Sequence, residues 1–294
     1  MTGIAKTGSE KSFLRMERIG SLLSFDRSFL NHAQWHPALQ APGQIPLFLA
    51  APEDGHESSP PRQRVVGFDE AGRGSLAGPV TVACVRFDWD DICTPSGDLR
   101  TSVLETFVEL NDSKQVARRV RERLFALIQA EAQYGIGCAS ALEIDQLGIV
   151  NACHKAASRA YQRLLGTQPH GGICADIGLF DRGLSLGEEA TKAAFSAFVQ
   201  VTKGDAKSFH IAAASILAKV WRDAFMQSLA TRAEVYDFAD PHELADPHEL
   251  ADTYGFAEPY GFARHKGYGS AAHILAIQRH GPSRFHRKTF LTRI

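Results

Sequence analysis

Hydrophobic residues along this chain alternate between short β-branched runs and longer stretches with helical spacing. Val65-Val66-Gly67-Phe68 and Val80-Thr81-Val82-Ala83-Cys84-Val85-Arg86-Phe87 flank a glycine-rich turn, the pattern of two neighbouring strands. Over residues 116–130, Val120, Leu124, Leu127 and Ile128 fall on one helical face, with Arg118, Arg119, Arg121 and Arg123 around them. The spacing predicts further helices over about 149–165 and 188–198, and short strands over 171–176 and 199–201. The clearest helix covers 211–229, where Ala212, Ala213, Ala214 and Ser215 make a small-residue surface on which another element can pack closely. Strands alternating with helices place the core in the α/β class.

Four segments differ in texture. Residues 1–63 form an extension with a helix expected over about 12–30; its later part, Ala51-Pro52-Glu53-Asp54-Gly55-His56-Glu57-Ser58-Ser59-Pro60-Pro61, reads as a flexible linker. Residues 64–230 carry the alternating core. Within residues 231–259, Ala239-Asp240-Pro241-His242-Glu243-Leu244 is repeated at once as Ala245 through Leu250. Two copies of six residues are too few for a solenoid, and a duplicated surface loop is expected, because lengthening a loop costs little. Residues 260–294 form a basic C-terminal segment.

Charge sharpens this division. The 294 residues carry a formal net charge of −1, which does not suggest a nucleic-acid binder. The average hides two opposed blocks. Residues 237–258 hold seven acids and no Lys or Arg, whereas 264–294 hold seven Lys or Arg, four His and no acid. Such a run is either a solvated face or a phosphate-binding surface. Hydrophobic residues make up 44% of the chain, enough for a buried core. The five cysteines are widely spaced with no C-x-x-C pair, so neither a disulfide framework nor a zinc knuckle is indicated. The N-terminal stretch lacks an apolar signal region and the run 45–51 contains Pro46, so a soluble, cytoplasmic protein with no membrane span is expected.

The chemistry concentrates at Gly67-Phe68-Asp69-Glu70-Ala71-Gly72-Arg73-Gly74, where two acids end an apolar strand. Carboxylates at a buried strand end are costly unless paired or bound to a cation, and like charges raise one another's pKa. A divalent ion removes both penalties, and oxygen-only ligation favours Mg²⁺ or Mn²⁺. Successive strand residues point to opposite faces, so Asp69 and Glu70 are expected to share an ion only if the chain turns out of the strand there, as Gly72 and Gly74 would allow.

Asp-Glu-Ala-Gly-Arg-Gly-x-Leu-Ala-Gly-Pro-Val resembles the opening signature of the ribonuclease HII family. The resemblance continues through Leu110-Asn111-Asp112-Ser113-Lys114, Lys203-Gly204-Asp205-Ala206-Lys207-Ser208 and Ile211 through Asp223. It closes with Tyr260-Gly261-Phe262, His265-Lys266-Gly267-Tyr268-Gly269, His273 and Gly281-Pro282-Ser283-x-x-His286-Arg287. It spans about residues 65–290. It implies an RNase H-like fold, a central mixed sheet flanked by helices with a C-terminal helical extension. It also implies an endonuclease acting on RNA–DNA hybrids and on DNA duplexes containing ribonucleotides, with two Mn²⁺ or Mg²⁺ ions held by four carboxylates. By motif position these are Asp69, Glu70, Asp205 and an acid ending the intervening strand, for which Asp176 is preferred and Asp181 is the rival.

The same resemblance implies that Gly72, Arg73 and Gly74 sense the 2′-hydroxyl with backbone groups and that Tyr268 stacks on the adjoining deoxyribose. Lys114, with Lys203 and Lys207, is either a phosphate contact or a surface lysine. A monomer is expected, and a sliding clamp is a candidate protein partner that no segment identifies. Two features depart from the family pattern: Asp176 is followed by Ile177 where Asp-Gly is usual, and the acidic duplicated insert is extra. The alternatives are another RNase H-like two-metal nuclease, of resolvase or exonuclease type, and a catalytically silent hybrid-binding module. Gly72-Arg73-Gly74 with Tyr268 speaks against the first, and the intact acids Asp69, Glu70 and Asp205 against the second.

Overall fold

A computed structural model describes residues 8–30, 64–94, 98–111, 113–166, 176–231 and 259–292. The linker and nearly all of the acidic duplicated insert lie outside these residues. Five strands, β1 (Arg64–Ala71), β2 (Val80–Arg86), β3 (Gln133–Ala139), β4 (Asp176–Asp181) and β5 (Ala197–Val201), form one mixed sheet in the order β3-β2-β1-β4-β5. β1 runs antiparallel to β2 and parallel to β4, and β5 is parallel to β4. The helices are α1 (Gly8–Leu30), α2 (Trp89–Ile92), α3 (Thr101–Thr106), α4 (Arg118–Glu131), α5 (Ala141–Gly166), α6 (Glu188–Ala194), α7 (Phe209–Thr231), α8 (Phe262–His265) and α9 (Ala271–His280). The expected α/β class and the mixed, helix-flanked sheet are what the chain adopts.

The period of two along β1 sorts its side chains. Val66 and Phe68 join Val80, Val82 and Cys84 against the alanines of α5, Ala152, Ala156 and Ala160. On the other face Ala71, Ala83 and Val85 pack beneath α7 through Ala212, Ala213, Ile216 and Leu217. The small surface of α7 lets it come very close: a side chain at Gly67 would overlap the backbone of His210 and Ile211.

Several expected elements shift. α5 begins at Ala141, eight residues earlier than its spacing suggested, because Gly148 at φ 74° joins a short first segment to the main helix through a kink. α6 stops at Ala194, so that Ala197 and Phe198 belong to β5. The strand expected over 171–176 begins, rather than ends, at Asp176, and residues 171–175 fall outside the described set. α1 is no free appendage: Ile19, Leu22, Leu23 and Phe29 are buried, each contributing roughly 1.5–3 kcal/mol, and Asp26 on the same helix accepts from the His210 backbone N–H at 3.0 Å. Among the described residues no helix is long and apolar enough to cross a membrane.

Candidate active site

The parallel strands β1 and β4 end side by side, and carboxyl ends of parallel strands are where sheets of this type present their ligands. The register Phe68↔Phe180 is locked by ring stacking at 4.4 Å, with Phe195 packed edge-on against both. One position further along each strand stand Asp69 and Asp181. Oxygens of Asp69, Glu70 and Asp181 all lie within 4.8 Å of one another. β1 does not turn away after Asp69 as the sequence suggested, for it stays paired with β2 through Ala71↔Thr81. Because β4 stops at Asp181, the β4-side edge of β1 is open beyond that point, and side chains from both faces reach around it.

Asp205 lies at this rim in a 3-10 turn, Gly204–Ala206, that follows Lys203 in a left-handed conformation. Its charge helps push up Asp69, and the neighbouring Gly204 N–H donates to Asp181 Oδ1 at 2.8 Å. Asp69 is 7% exposed, and burial, then the charges of Glu70 and Asp181, hold its carboxyl well above the usual range. Burial also raises Glu70, opposed by Arg73 and Lys114. Glu70 Oε2 is buried with no hydrogen-bond partner. An orphaned oxygen amid crowded carboxylates suits a hard divalent cation.

These raised values make a testable trade-off. An acid whose folded pKa exceeds its unfolded one stabilises the fold below the unfolded pKa, and that contribution is lost as pH rises through the folded value. In excess EDTA at neutral pH, Asp69→Asn is therefore expected to melt at a higher temperature than the native chain, and Mn²⁺ to raise the native chain more than the variant. A lower melting temperature for Asp69→Asn in EDTA would mean that the cluster is stabilised by something other than a cation.

Asp176, the preferred third carboxylate from sequence, is not brought to this cluster. It opens β4 opposite Arg64, five residues and about 16 Å of strand from Asp181. There it meets Arg86 Nη1 at 3.2 Å, Arg64 Nε at 3.4 Å and the Tyr161 hydroxyl at 3.2 Å. Asp181 takes the place assigned to Asp176. The correction has one cause, a strand shifted by five residues.

The Gly-Arg-Gly turn divides its labour. Gly72, at φ 86°, has no room for a side chain because the Arg222 guanidinium fills that space; Gly74 is exposed with nothing near it, so its backbone is open to a ligand. Arg73 donates to the Gly183 carbonyl at 3.2 Å and lies 3.5 Å from Glu70. Behind the turn sit two buried arginines, Arg222 and Arg287, which lie in the family motifs and to which the sequence alone assigns no role. Arg287 donates to the carbonyls of Gly72, Arg73 and Gly78, and Arg222 to those of Ala77, Pro79 and Lys266. The Gly267 carbonyl accepts from the N–H groups of Leu76 and Ala77, which seats the Tyr268 segment beside the turn. Tyr268 is 40% exposed, with Lys219 Nζ 5.6 Å and the Arg222 guanidinium 5.4 Å from its ring centre. Lys114 is exposed, and its loop is tied to α7 by Ser215 Oγ donating to Ser113 Oγ at 2.8 Å.

Comparison with known proteins points to a family. The family model described as Ribonuclease HII matches residues 66–240. The chain is 40% identical to a Ribonuclease HII of Syntrophotalea carbinolica over 78% of this chain and 85% of that one, and 36% identical to one of Thermosynechococcus vestitus over 78% and 84%. In fold it is similar to the RNase HII in a complex with PCNA from Archaeoglobus fulgidus, at TM-score 0.50 and 20% identity, covering 79% of this chain and 96% of that one. The ribonuclease H2 of Pyrococcus horikoshii gives TM-score 0.50 and 21% identity, covering 77% and 93%. The chain belongs to the ribonuclease HII family, the RNase H-type endoribonucleases.

Proposed function

We propose that this protein hydrolyses the RNA strand of RNA–DNA hybrids and cuts on the 5′ side of a ribonucleotide embedded in duplex DNA, leaving 5′-phosphate and 3′-hydroxyl ends. The observation that carries the chemistry is the oxygen-only cluster of Asp69, Glu70 and Asp181 with Asp205 at its rim and one buried oxygen unpartnered. These four would hold two Mg²⁺ or Mn²⁺ ions. Bound there, they would supply activation of an attacking water and charge stabilisation at the leaving oxygen.

The chain's own residues orient the substrate. The exposed backbone at Gly74 can approach a 2′-hydroxyl, the atom that separates RNA from DNA. Arg287 donates to that turn's carbonyls from behind and the Arg222 side chain packs against Gly72, so the turn is held in shape before substrate arrives. Tyr268 offers a half-exposed ring for the adjoining deoxyribose. Lys114 sits near enough to Glu70 to lower its pKa, where it can also meet a phosphate.

Three labelled duplexes test the reading: all-DNA, RNA–DNA hybrid, and DNA with a single ribonucleotide. With Mn²⁺ or Mg²⁺ the second and third are expected to be cut and the first spared, and excess EDTA is expected to stop all cleavage. Equal cutting of the all-DNA duplex would favour a resolvase-type activity. The Archaeoglobus relative was solved with PCNA, which makes a clamp of that kind a candidate partner to test by co-purification.

A further inference from the structure

Three buried or half-buried histidines lie behind Tyr268, outside the carboxylate cluster and unused by the chemistry above. Their partners fix each tautomer. The Tyr268 carbonyl can only accept, so His273 Nδ1, 2.9 Å away, carries a proton and its Nε2 does not. His286 Nδ1 accepts from the Ser283 N–H at 2.9 Å, so its proton is on Nε2. That proton points at His273 Nε2, 3.0 Å away. His265 accepts at Nδ1 from the Gly267 N–H and donates from Nε2 to the Tyr260 carbonyl, and its ring stacks on His273 at 4.1 Å.

Hydrogen bonds thus run one way, from Ser283 N–H to His286, from His286 to His273, and from His273 to the Tyr268 carbonyl. His286 itself is bridged to Ala77, and the adjacent Arg287 N–H donates to the Leu76 carbonyl. His273 and His286 are 0% and 1% exposed. Burial lowers both, His286 to about 4, so the neutral forms that this chain of bonds requires persist at neutral pH.

We propose that His273 and His286 are positioning residues that fix Tyr268 relative to the Gly72–Gly74 turn, so that the aromatic and the 2′-hydroxyl reader engage one ribonucleotide–deoxyribonucleotide step together. This rests on the reading of Tyr268 as a substrate contact. The two histidines touch no substrate themselves.

His273→Asn and His273→Leu in the full chain separate positioning from packing. An Asn amide stands where Nδ1 stood and can still donate to the Tyr268 carbonyl; Leu cannot. Both variants lose the bond from His286 and should lose similar thermal stability. With 3-fluorotyrosine incorporated and the Tyr268 line assigned by Tyr268→Phe, that line is expected to shift or broaden in His273→Leu and to stay in place in His273→Asn. KM for the single-ribonucleotide duplex is expected to rise several-fold in His273→Leu with kcat little changed, and to recover in His273→Asn. An unmoved Tyr268 line in His273→Leu overturns the proposal. So does ¹⁵N NMR of the native protein placing the His273 proton on Nε2, a measurement that needs no folded variant. If the line moves while Tyr268→Ala leaves KM unchanged, the positioning stands and the substrate role of Tyr268 falls.

Discussion

Asp181→Asn is expected to lower the divalent-ion-dependent cleavage rate by at least about 100-fold, the scale on which a single preorganised group acts in a transition state. The substitution removes one charge from the carboxylate cluster at nearly constant shape, and Asn Oδ1 can keep the bond from the Gly204 N–H that anchors the Asp205 turn. Its melting temperature in EDTA should therefore not fall. Asp176→Asn is expected to do the reverse. Burial raises the Asp176 carboxyl, but Arg86 is 2% exposed and meets it at 3.2 Å, so neutralising the acid leaves a buried guanidinium with Gln133 but without its counter-ion, and the melting temperature should fall. Cleavage per folded molecule should be nearly native, because the acid lies about 16 Å of strand away from the cluster. Assays of both purified variants, with melting curves, decide the matter. A mild Asp181→Asn beside an inactive but stable Asp176→Asn would reverse the assignment of the third carboxylate.

The second large effect is expected at Arg287. Its side chain is fully buried and supplies donors to three backbone carbonyls, at Gly72, Arg73 and Gly78. Arg287→Leu takes that donor from all three, at about 1–3 kcal/mol for each group left unsatisfied, and only the Gly72 carbonyl keeps a bond, from the Ser75 N–H at 3.3 Å. A loss of several kcal/mol lowers the melting temperature by roughly 10 °C in a chain of this size. The variant should also discriminate less between the single-ribonucleotide duplex and all-DNA, because the Gly72–Gly74 turn loses its support. Arg287→Lys offers one ammonium where a planar fork stood and should rescue only part of either quantity. Native stability together with native discrimination in Arg287→Leu would show that the turn holds its shape without this clamp.

Which parts were legible from the sequence follows from what each signal depends on. Local pattern was enough for β1, β2, α4 and α7, whose periodicities declare strand or helix and whose buried faces agree with them. Motif order was enough for the family, and it named Asp69 and Glu70, which the fold brings together with Asp181. β3 was missed, since Gly135 and Gly137 weaken its strand signal; those glycines are there because the α5 backbone lies against them, with Ala160 and Ala156 carbonyls where side chains would be. α1 lies in a segment whose sequence reads as an extension, because its docking through buried Asp26 and an apolar face against α7 and the sheet depends on distant residues.

The third carboxylate could not be decided locally at all. Asp176 and Asp181 each follow an apolar run, Ile173-Cys174-Ala175 before one and Ile177 through Phe180 before the other, so either could end a strand. The choice falls to the pairing of β4 with β1, where Phe68 stacks on Phe180 and carries Asp181 to the side of Asp69. Register is a property of two segments more than a hundred residues apart. The sequence by itself determined which residue types and motifs this protein brings to its chemistry, because those are written in contiguous stretches. Only the tertiary structure decided which acid completes the cluster, which arginines hold the turn and which histidines stand behind Tyr268, because each of these depends on contacts between distant segments.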